Sequence, residues 1–300
     1  MTTASNNKNP LRLWRRGACL AGAPVIAALG FFAWQSFYPV SAAAGWNVQV
    51  VHRDVAKAAS LMPLSDGSLV VSQELDKGKG SIVRIHPDGS REVVVANLSK
   101  PDGMVPTRGG WVFSQESADL PVSFYKDGVV TELFKGDSVQ GLWVEGDDLY
   151  AIEDRKPAGR LLRYRWSDQS LTVVRDQVQE GEAIVRCTDG RLLYNEKSKG
   201  VVRELTADGS DPVVLSNLNQ PTFLMCDERG LWVNEDSTHR ARLLLIDKQG
   251  RQQTILSFLK APQSIVRTGE GTYLLAEGGR NRVLKLVSTQ LAVASDSTSH

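Results

Sequence analysis

A repeat of about 40 residues constrains this chain more than any other feature, because a period of that length is typical of repeat architectures. Six short apolar segments recur at this period, and each ends in acidic, amide or similarly polar residues. A turn signal and another apolar run of strand length precede each segment, so each repeat begins with a β-hairpin. The six segments are Leu69–Glu74, Trp111–Glu116, Leu149–Asp154, Leu192–Lys197, Leu231–Asp236 and Tyr273–Gly278.

Further strand-like runs follow the hairpin in each repeat. Ser81–Ile85 and Glu92–Val95 follow the first segment, and Leu161–Tyr164 and Leu171–Val174 follow the third. Four strands in a repeat of about 40 residues are typical of one blade of a β-propeller. The six repeats therefore predict an all-β fold, a six-bladed β-propeller of four-stranded blades.

The sixth repeat has only three clear strands, the last ending at Val287. Asn47–Val51 lies before the first repeat and can supply the fourth strand. Pairing the first strand with the last blade would close the ring and leave no open sheet edge. We therefore predict one propeller domain over residues 45–288, followed by a flexible tail, residues 289–300, rich in Ser, Thr and Asp.

The beginning of the sequence predicts export. Four basic residues precede Gly17–Phe37, a stretch without charged residues that is long enough to span a bilayer. Positive charge before an apolar run indicates that the N-terminus stays in the cytoplasm. Residues 1–44 are predicted to be a cytoplasmic basic stub with one N-terminal hydrophobic helix, acting as a signal anchor or a signal peptide. The basic residues are Lys8, Arg12, Arg15 and Arg16.

The small residues at Ser41–Ala44 offer a cleavage site, and the sequence leaves anchor and cleaved signal open. An anchor would hold the protein on a membrane through the N-terminal helix, with the propeller in the periplasm or outside the cell. A cleaved signal would release a secreted propeller.

The charge balance argues against nucleic acid as a partner. The sequence has 35 Lys and Arg residues and 34 Asp and Glu residues, so no whole-chain basic field exists to hold a phosphate backbone.

The three cysteines Cys19, Cys187 and Cys226 show no CxxC spacing. Cys187 and Cys226 fall on neighbouring inner strands at offsets that turn them to opposite faces, which favours free thiols over a disulfide.

The repeat also predicts a site, because the start of each inner strand and the end of each second strand lie on one face of the propeller. Six polar residues occupy the matching inner-strand starts, and four acidic strand ends emerge beside them at the mouth of the channel. The inner ring is Ser60, Asp102, Gln140, Glu182, Thr222 and Gln263, and the strand ends are Glu74, Glu116, Asp154 and Asp236.

Converging oxygen atoms of this kind favour a divalent cation, with Ca²⁺ ahead of Mg²⁺, since carboxylate and amide oxygens are hard ligands. Asp102 and Glu182 would supply the charge, and Gln140 and Gln263 would be auxiliary ligands. A bound cation could polarise a carbonyl while a carboxylate activates water, with Asp102 and Glu182 as the catalytic groups. Alternatively, the ring holds ordered water at a wet channel mouth.

Lys100-Pro-Asp-Gly-Met104, followed by Trp111-Val-Phe, resembles a segment of the regucalcin and gluconolactonase family of six-bladed propellers. The resemblance implies that Asp102 is a metal ligand and catalytic group. Two further pairs of segments look similar to blades of strictosidine synthase-like and NHL-type propellers. They are Glu182-Ala-Ile-Val with Asp189-Gly-Arg-Leu-Leu, and Pro262-Gln-Ser-Ile with Gly279-Arg-Asn-Arg-Val-Leu-Lys-Leu286.

Two motifs of that family are not intact here. Glu180-Gly181-Glu182 is the nearest echo of its Glu-Gly-Pro motif, and Thr222 or Gln263 stands where its metal-binding asparagine is expected. Two functions stay open. The first is a metal-dependent hydrolase of a lactone or ester that binds a small molecule at the axial mouth. The second is a non-catalytic propeller that binds a protein, glycan or envelope partner.

Overall fold

The computed structural model describes residues 23–34, 37–236 and 241–289. The chain divides into two compact units, Met1–Pro39 and Val40–His300. In the first unit, residues 23–34 form an α-helix.

Across the described ranges, no helix is both long enough and apolar enough to cross a membrane. The predicted apolar span Gly17–Phe37 lies only partly within these ranges, because residues 17–22 and 35–36 are outside them. The basic residues before it, Cys19 and all but the first residue of the predicted tail also lie outside the described part of the chain.

Within the described part of the second unit, the strands form six antiparallel sheets, and the predicted six-bladed propeller is confirmed. Strands β1 (Ser41–Ala42) and β2 (Trp46–His52) precede the first blade. Four consecutive strands then build each of the first five blades, and the sixth begins with three.

Blade 1 comprises β3 (Ala58–Pro63), β4 (Leu69–Gln73), β5 (Gly80–Ile85) and β6 (Arg91–Leu98). Blade 2 comprises β7 (Pro101–Thr107), β8 (Gly110–Gln115), β9 (Leu120–Lys126) and β10 (Val129–Gly136). Blade 3 comprises β11 (Val139–Glu145), β12 (Asp148–Glu153), β13 (Gly159–Arg165) and β14 (Leu171–Val178).

Blade 4 comprises β15 (Ile184–Arg186), β16 (Leu192–Glu196), β17 (Val201–Glu204) and β18 (Val213–Leu215). Blade 5 comprises β19 (Pro221–Asp227), β20 (Gly230–Glu235), β21 (Ala241–Asp247) and β22 (Gln252–Leu259). Blade 6 begins with β23 (Pro262–Gly269), β24 (Thr272–Glu277) and β25 (Arg282–Ser288), and a short 3₁₀-helix, Gly278–Arg280, joins β24 to β25.

The ring closes as the sequence predicts. Strand β2 pairs antiparallel with β25, which places Val48 opposite Leu286 and completes the sixth blade. The aromatic ring of Trp46, on β2, packs edge-on against Trp232 of blade 5 at 5.6 Å between ring centroids. Aromatic pairs of this geometry add to the stabilisation from burial, so the closure is held by side chains as well as by backbone hydrogen bonds.

Blade 5 carries a fifth strand that the repeat did not predict. Strand β1 pairs with β22, with Ser41 opposite Ser257. The propeller therefore includes residues before position 45, and β1 covers the outer edge of blade 5. The two residues of β1 lie outside the six repeats, so the period of the sequence could not predict this strand.

Cys187 and Cys226 form a disulfide that links blades 4 and 5, so the prediction of two free thiols is wrong. Their Cα atoms lie 4.9 Å apart, within the range that a disulfide requires. The prediction failed because it compared the faces of two regular strands. Cys187 lies one residue beyond β15, and the pairing of β19 is irregular between Pro221 and Leu224.

Candidate functional site

The inner strands surround a central channel, and contacts between neighbouring inner strands continue round the ring to β23 and β3. At one mouth, every blade repeats the same backbone hydrogen bond. The residue directly after the second strand donates its N–H to a carbonyl shortly before the inner strand. The six bonds are Glu74 to Lys57, Glu116 to Lys100, Asp154 to Ser138, Lys197 to Glu180, Asp236 to Gln220 and Gly278 to Ala261, at 2.8–3.1 Å.

All six carbonyl-bearing residues of this repeated bond adopt a positive φ, although none of them is glycine. Non-glycine residues seldom adopt this conformation, so the surrounding bonds must hold it. The turn brings the following inner-strand residue into the mouth. Lys100, with φ of 49°, precedes Asp102 in this way, and Glu180, also with φ of 49°, precedes Glu182.

The last residue of each second strand and the residue directly after it have different roles, because successive residues of a strand point to opposite sides. The residue after the strand lies at the mouth, whereas the last residue of the strand points into the blade. In blades 3 to 6 the last residue of the second strand is a glutamate at most 3% exposed, and each forms an ion pair with an arginine of the third strand. The pairs are Glu153 with Arg160, Glu196 with Arg203, Glu235 with Arg242 and Glu277 with Arg282.

Side chains on four second strands bind the backbone of the next blade and position the predicted ring. The Ser114 hydroxyl accepts the N–H of Gly103 at 2.9 Å and donates to the carbonyl of Gln140 at 2.7 Å. Ser72 binds the carbonyl of Asp102 at 3.1 Å, and the Asn195 amide donates to that of Thr222 at 3.3 Å. The Asn234 amide binds the carbonyl of Gln263.

These four residues were missed by the sequence reasoning. A signal for them was present, since each lies two positions before the polar end of its repeat segment. All four are fully buried. Their hydrogen bonds fix the backbone of the ring across blade boundaries, so the ring is a consequence of contacts between blades.

Two of the predicted ring residues use their side chains for the same purpose. The Ser60 hydroxyl accepts the N–H of Met104, in the next blade, at 3.1 Å. The Thr222 hydroxyl lies 3.4 Å from the carbonyls of Asn234 and Pro262. Ser60 and Thr222 therefore connect blades. The two charged residues of the ring, Asp102 and Glu182, each belong to a cluster of charged side chains at the mouth.

The first cluster lies between blades 1 and 2. The Lys100 ammonium contacts the Glu116 carboxylate and lies 3.7 Å from that of Glu74. Burial, followed by the charges of Glu74 and Glu116, raises the pKa of Asp102 well above its ordinary value. Burial and the Glu116 carboxylate also raise the pKa of Glu74. Three carboxyl groups thus share one ammonium group, which favours the protonated form of at least one of them.

The second cluster lies between blades 3 and 4. The Glu182 carboxylate forms an ion pair with the Lys197 ammonium, and the Gln140 amide donates to the Asp154 carboxylate at 3.2 Å. Burial raises the pKa of Asp154 to about 6. Burial raises the pKa of Glu182 to about 8, although Lys197 opposes this rise. Asp236 contributes a smaller repulsion to the pKa of Glu182.

The mouth therefore assembles most of the predicted acidic residues, together with two lysines that were not predicted. Lys197 occupies the repeat position held by Glu74, Glu116, Asp154 and Asp236, and alignment of the six segments could have identified it. Lys100 precedes the Pro-Asp-Gly segment directly. Within the described ranges, the half-buried Gln263 is tied to the mouth only by its backbone carbonyl.

The predicted metal ligands do not fit a divalent cation as they are arranged. In the described part of the chain, no group of three or more His, Cys, Asp or Glu side chains is placed to hold a metal ion. Glu182 is neutralised by Lys197, and the amide nitrogen of Gln140 is directed at Asp154. A hard cation needs several oxygen atoms directed at one point. Here the ammonium groups supply the positive charge that such a cation would bring.

No family model matches the sequence, and no curated protein matches it. Several solved structures are similar to this chain. A proposed gluconolactonase has a TM-score of 0.67 at 11% identity, over 82% of this chain and 93% of that one. Virginiamycin B lyase from Staphylococcus aureus has a TM-score of 0.57 at 13% identity, over 81% of this chain and 99% of that one.

An auxiliary nutrient binding protein from Bacteroides ovatus has a TM-score of 0.63 at 12% identity, over 81% of this chain and 76% of that one. These proteins differ in what they do, so likeness at such identities establishes architecture alone. The chain is a six-bladed β-propeller, with the fold that these three structures share.

Proposed function

We propose that the acidic mouth binds a small molecule and hydrolyses a lactone or ester bond in it by acid–base catalysis. The observation that supports this proposal most directly is the assembly of two carboxylate–lysine clusters at one end of the channel. Active sites are places where burial and like charges shift pKa values toward neutrality. The four buried glutamates inside blades 3 to 6 instead pair with arginines of their own blades.

Two carboxyl groups in the mouth suit the two proton transfers of hydrolysis. The raised pKa of Asp102 favours its protonated form, and a pKa of about 6 leaves Asp154 ionised at neutral pH. Asp154 would accept a proton from water while the water oxygen bonds to the substrate carbonyl carbon. Asp102 would give its proton to the alcohol oxygen as the carbon–oxygen bond breaks.

The lysines supply positive charge where the reaction develops negative charge. The carbonyl oxygen of the substrate becomes an oxyanion in the tetrahedral intermediate, and a preorganised ammonium group stabilises it. Lys197 is held at the mouth by Glu182, which makes Glu182 a positioning residue in this scheme. A divalent cation stays a prediction from the oxygen-bearing ring and the family resemblance, and no step of the proposed reaction uses one.

Hydrolysis of dihydrocoumarin, an aromatic lactone, tests the proposal. We expect activity that rises as Asp154 ionises near pH 6 and falls again at higher pH as Asp102 loses its proton. Asp102→Asn and Asp154→Asn should each reduce kcat by about 10²-fold or more. Ser90→Ala, on an exposed turn, is the matched control.

Absence of turnover with dihydrocoumarin and with simple esters such as p-nitrophenyl acetate would contradict the hydrolase. That result would favour the second function, a non-catalytic propeller that binds a protein, glycan or envelope partner. A nutrient-binding protein among the similar structures gives this alternative some support.

We also propose that the propeller is exported and tethered to a membrane by its N-terminal segment. The disulfide between Cys187 and Cys226 supports export, because disulfides persist in oxidising compartments and are rare in the cytosol. The basic residues before the apolar stretch support the same orientation.

Alkaline phosphatase fused after the last residue tests export, because that reporter is active only outside the bacterial cytoplasm. We expect activity from the full chain and none after deletion of residues 1–44. Equal activity of both fusions would contradict the proposal. N-terminal sequencing of the exported protein then separates the anchor from the cleaved signal.

A further inference from the structure

An apolar cavity of about 310 Å³ occupies the channel beneath the acidic mouth. All six inner strands contribute to its wall, and its upper layer is formed by residues that directly follow the ring. Gly103 follows Asp102, Gly141 follows Gln140, and Ala183 follows Glu182. The cavity is therefore a separate layer of the channel, below the carboxylates and lysines described above.

The wall of this cavity is rich in methionine. Met62, Met104 and Met225 line it, and they are three of only four methionines in the chain. They lie on inner strands of blades 1, 2 and 5, so the fold brings them together from distant parts of the sequence. Methionine side chains are flexible and polarisable, and they are favoured at surfaces that adapt to varied apolar ligands.

Aromatic and aliphatic side chains complete the wall. Trp143, Phe223 and Val266 line the cavity and are each only partly buried, so they are accessible from the channel. Arg267 is the only charged residue among the described residues of the wall. Its guanidinium is turned to the Glu228 carboxylate at 2.7 Å and to the carbonyl of Gly269 at 3.1 Å. The wall therefore offers no free charge to a ligand.

We propose that this cavity is a second ligand site, which binds an uncharged apolar small molecule of two or three rings or of similar bulk. An apolar cavity of about 150 Å³ accommodates one benzene molecule, and this cavity is about twice as large. Because all six blades enclose it, it takes a small molecule rather than a segment of another protein. The inference is independent of the proposed hydrolysis, which uses the layer above.

The fluorescent probe N-phenyl-1-naphthylamine, an uncharged three-ring amine, tests this site in the full chain. We expect saturable binding with one probe per chain and a blue-shifted emission. Met104→Lys would place a charge in the cavity and should weaken binding by about tenfold or more, because an unpaired charge is costly in apolar surroundings. Val93→Lys, on the exposed outer strand of blade 1, should change binding by less than about twofold.

A second measurement needs no variant and locates the probe. With ¹³C-labelled methionine methyl groups, the ring currents of the bound probe should shift the Met104 and Met225 signals in a saturable way. Their assignment comes from Met104→Leu and Met225→Leu. Binding that leaves both signals unmoved, or no saturable binding at all, would overturn the proposal. Loss of lactone hydrolysis would not affect it.

Discussion

Glu182 and Lys197 form an ion pair at the axial mouth, with Glu182 just before β15 and Lys197 just after β16. The side chain of Glu182 is 4% exposed and that of Lys197 is 23% exposed. A buried carboxylate needs a partner of this kind, because its desolvation is costly unless a nearby charge offsets it. The pair shows how the repeat can place a lysine at a position that holds an acid in four of the other five blades.

Lys197→Met should destabilise the propeller by about 1–3 kcal/mol. This cost is less than that of breaking a fully buried ion pair, because Lys197 is partly exposed. The loss is expected above about pH 8, where Glu182 is ionised and its carboxylate remains buried without its partner. Urea denaturation measures it. The double variant Glu182→Gln with Lys197→Met should recover most of the stability. Lys156→Met removes an exposed pair with Glu180 at the same mouth and should cost under about 0.5 kcal/mol.

Stability should fall as the pH rises from about 4.5 to about 8 through the contribution of Glu182. Its pKa is raised from 4.5 to about 8 on folding, so in this window the folded chain holds a proton that the unfolded chain has lost. One such proton contributes a slope of up to about 1.4 kcal/mol per pH unit. Urea denaturation at several pH values measures this slope, and Glu182→Gln should flatten it. An unchanged slope in that variant would contradict a raised pKa.

Removal of the Cys187–Cys226 bond should lower the free energy of unfolding by about 2–4 kcal/mol. The bond closes a loop between residues separated by 39 positions, and its loss releases entropy in the unfolded chain. Urea denaturation of Cys187→Ala with Cys226→Ala measures the change. Thiol titration of the denatured, unreduced chain provides the control and should find one thiol from the three cysteines of the sequence. Three thiols would contradict the bond.

Ser114→Ala should cost about 1–3 kcal/mol, because the variant leaves the N–H of Gly103 and the carbonyl of Gln140 without their buried partner. Thermal and urea denaturation report this loss. Ser90→Ala, which removes an exposed hydroxyl, should change stability by less than about 0.5 kcal/mol. Equal effects of the two substitutions would mean that the bridge between blades 2 and 3 does not hold the mouth together.

Addition of Ca²⁺ or Mg²⁺ at millimolar concentration should leave the Tm unchanged, because Lys197 and Asp154 engage two of the four predicted ligands. A ligand that binds only the folded state would raise the Tm in a saturable way. Saturable stabilisation that disappears in Asp102→Asn would restore the metal-dependent reaction implied by the family resemblance.

The sequence by itself determined the blades and their closure, because strand pairing within a blade is local and leaves a period that turns and apolar runs reveal. Val48 pairs with Leu286 as that reasoning predicts. The convergence of Asp102 with Glu74 and Glu116 follows from the same period, since equivalent positions of six blades must meet around one axis.

Only the tertiary structure decided what lies between the blades. The disulfide of Cys187 with Cys226 and the bridge of Ser114 to Gln140 join residues of neighbouring blades. The distance between two such residues depends on bulges and on how the sheets pack. The alternation of side chains along one strand therefore does not predict which residues of the next sheet they face. Lys197 and Glu182 both belong to blade 4, and their pairing could be recognised only once their side chains were placed at the mouth, because the period gives residue positions and not side-chain directions.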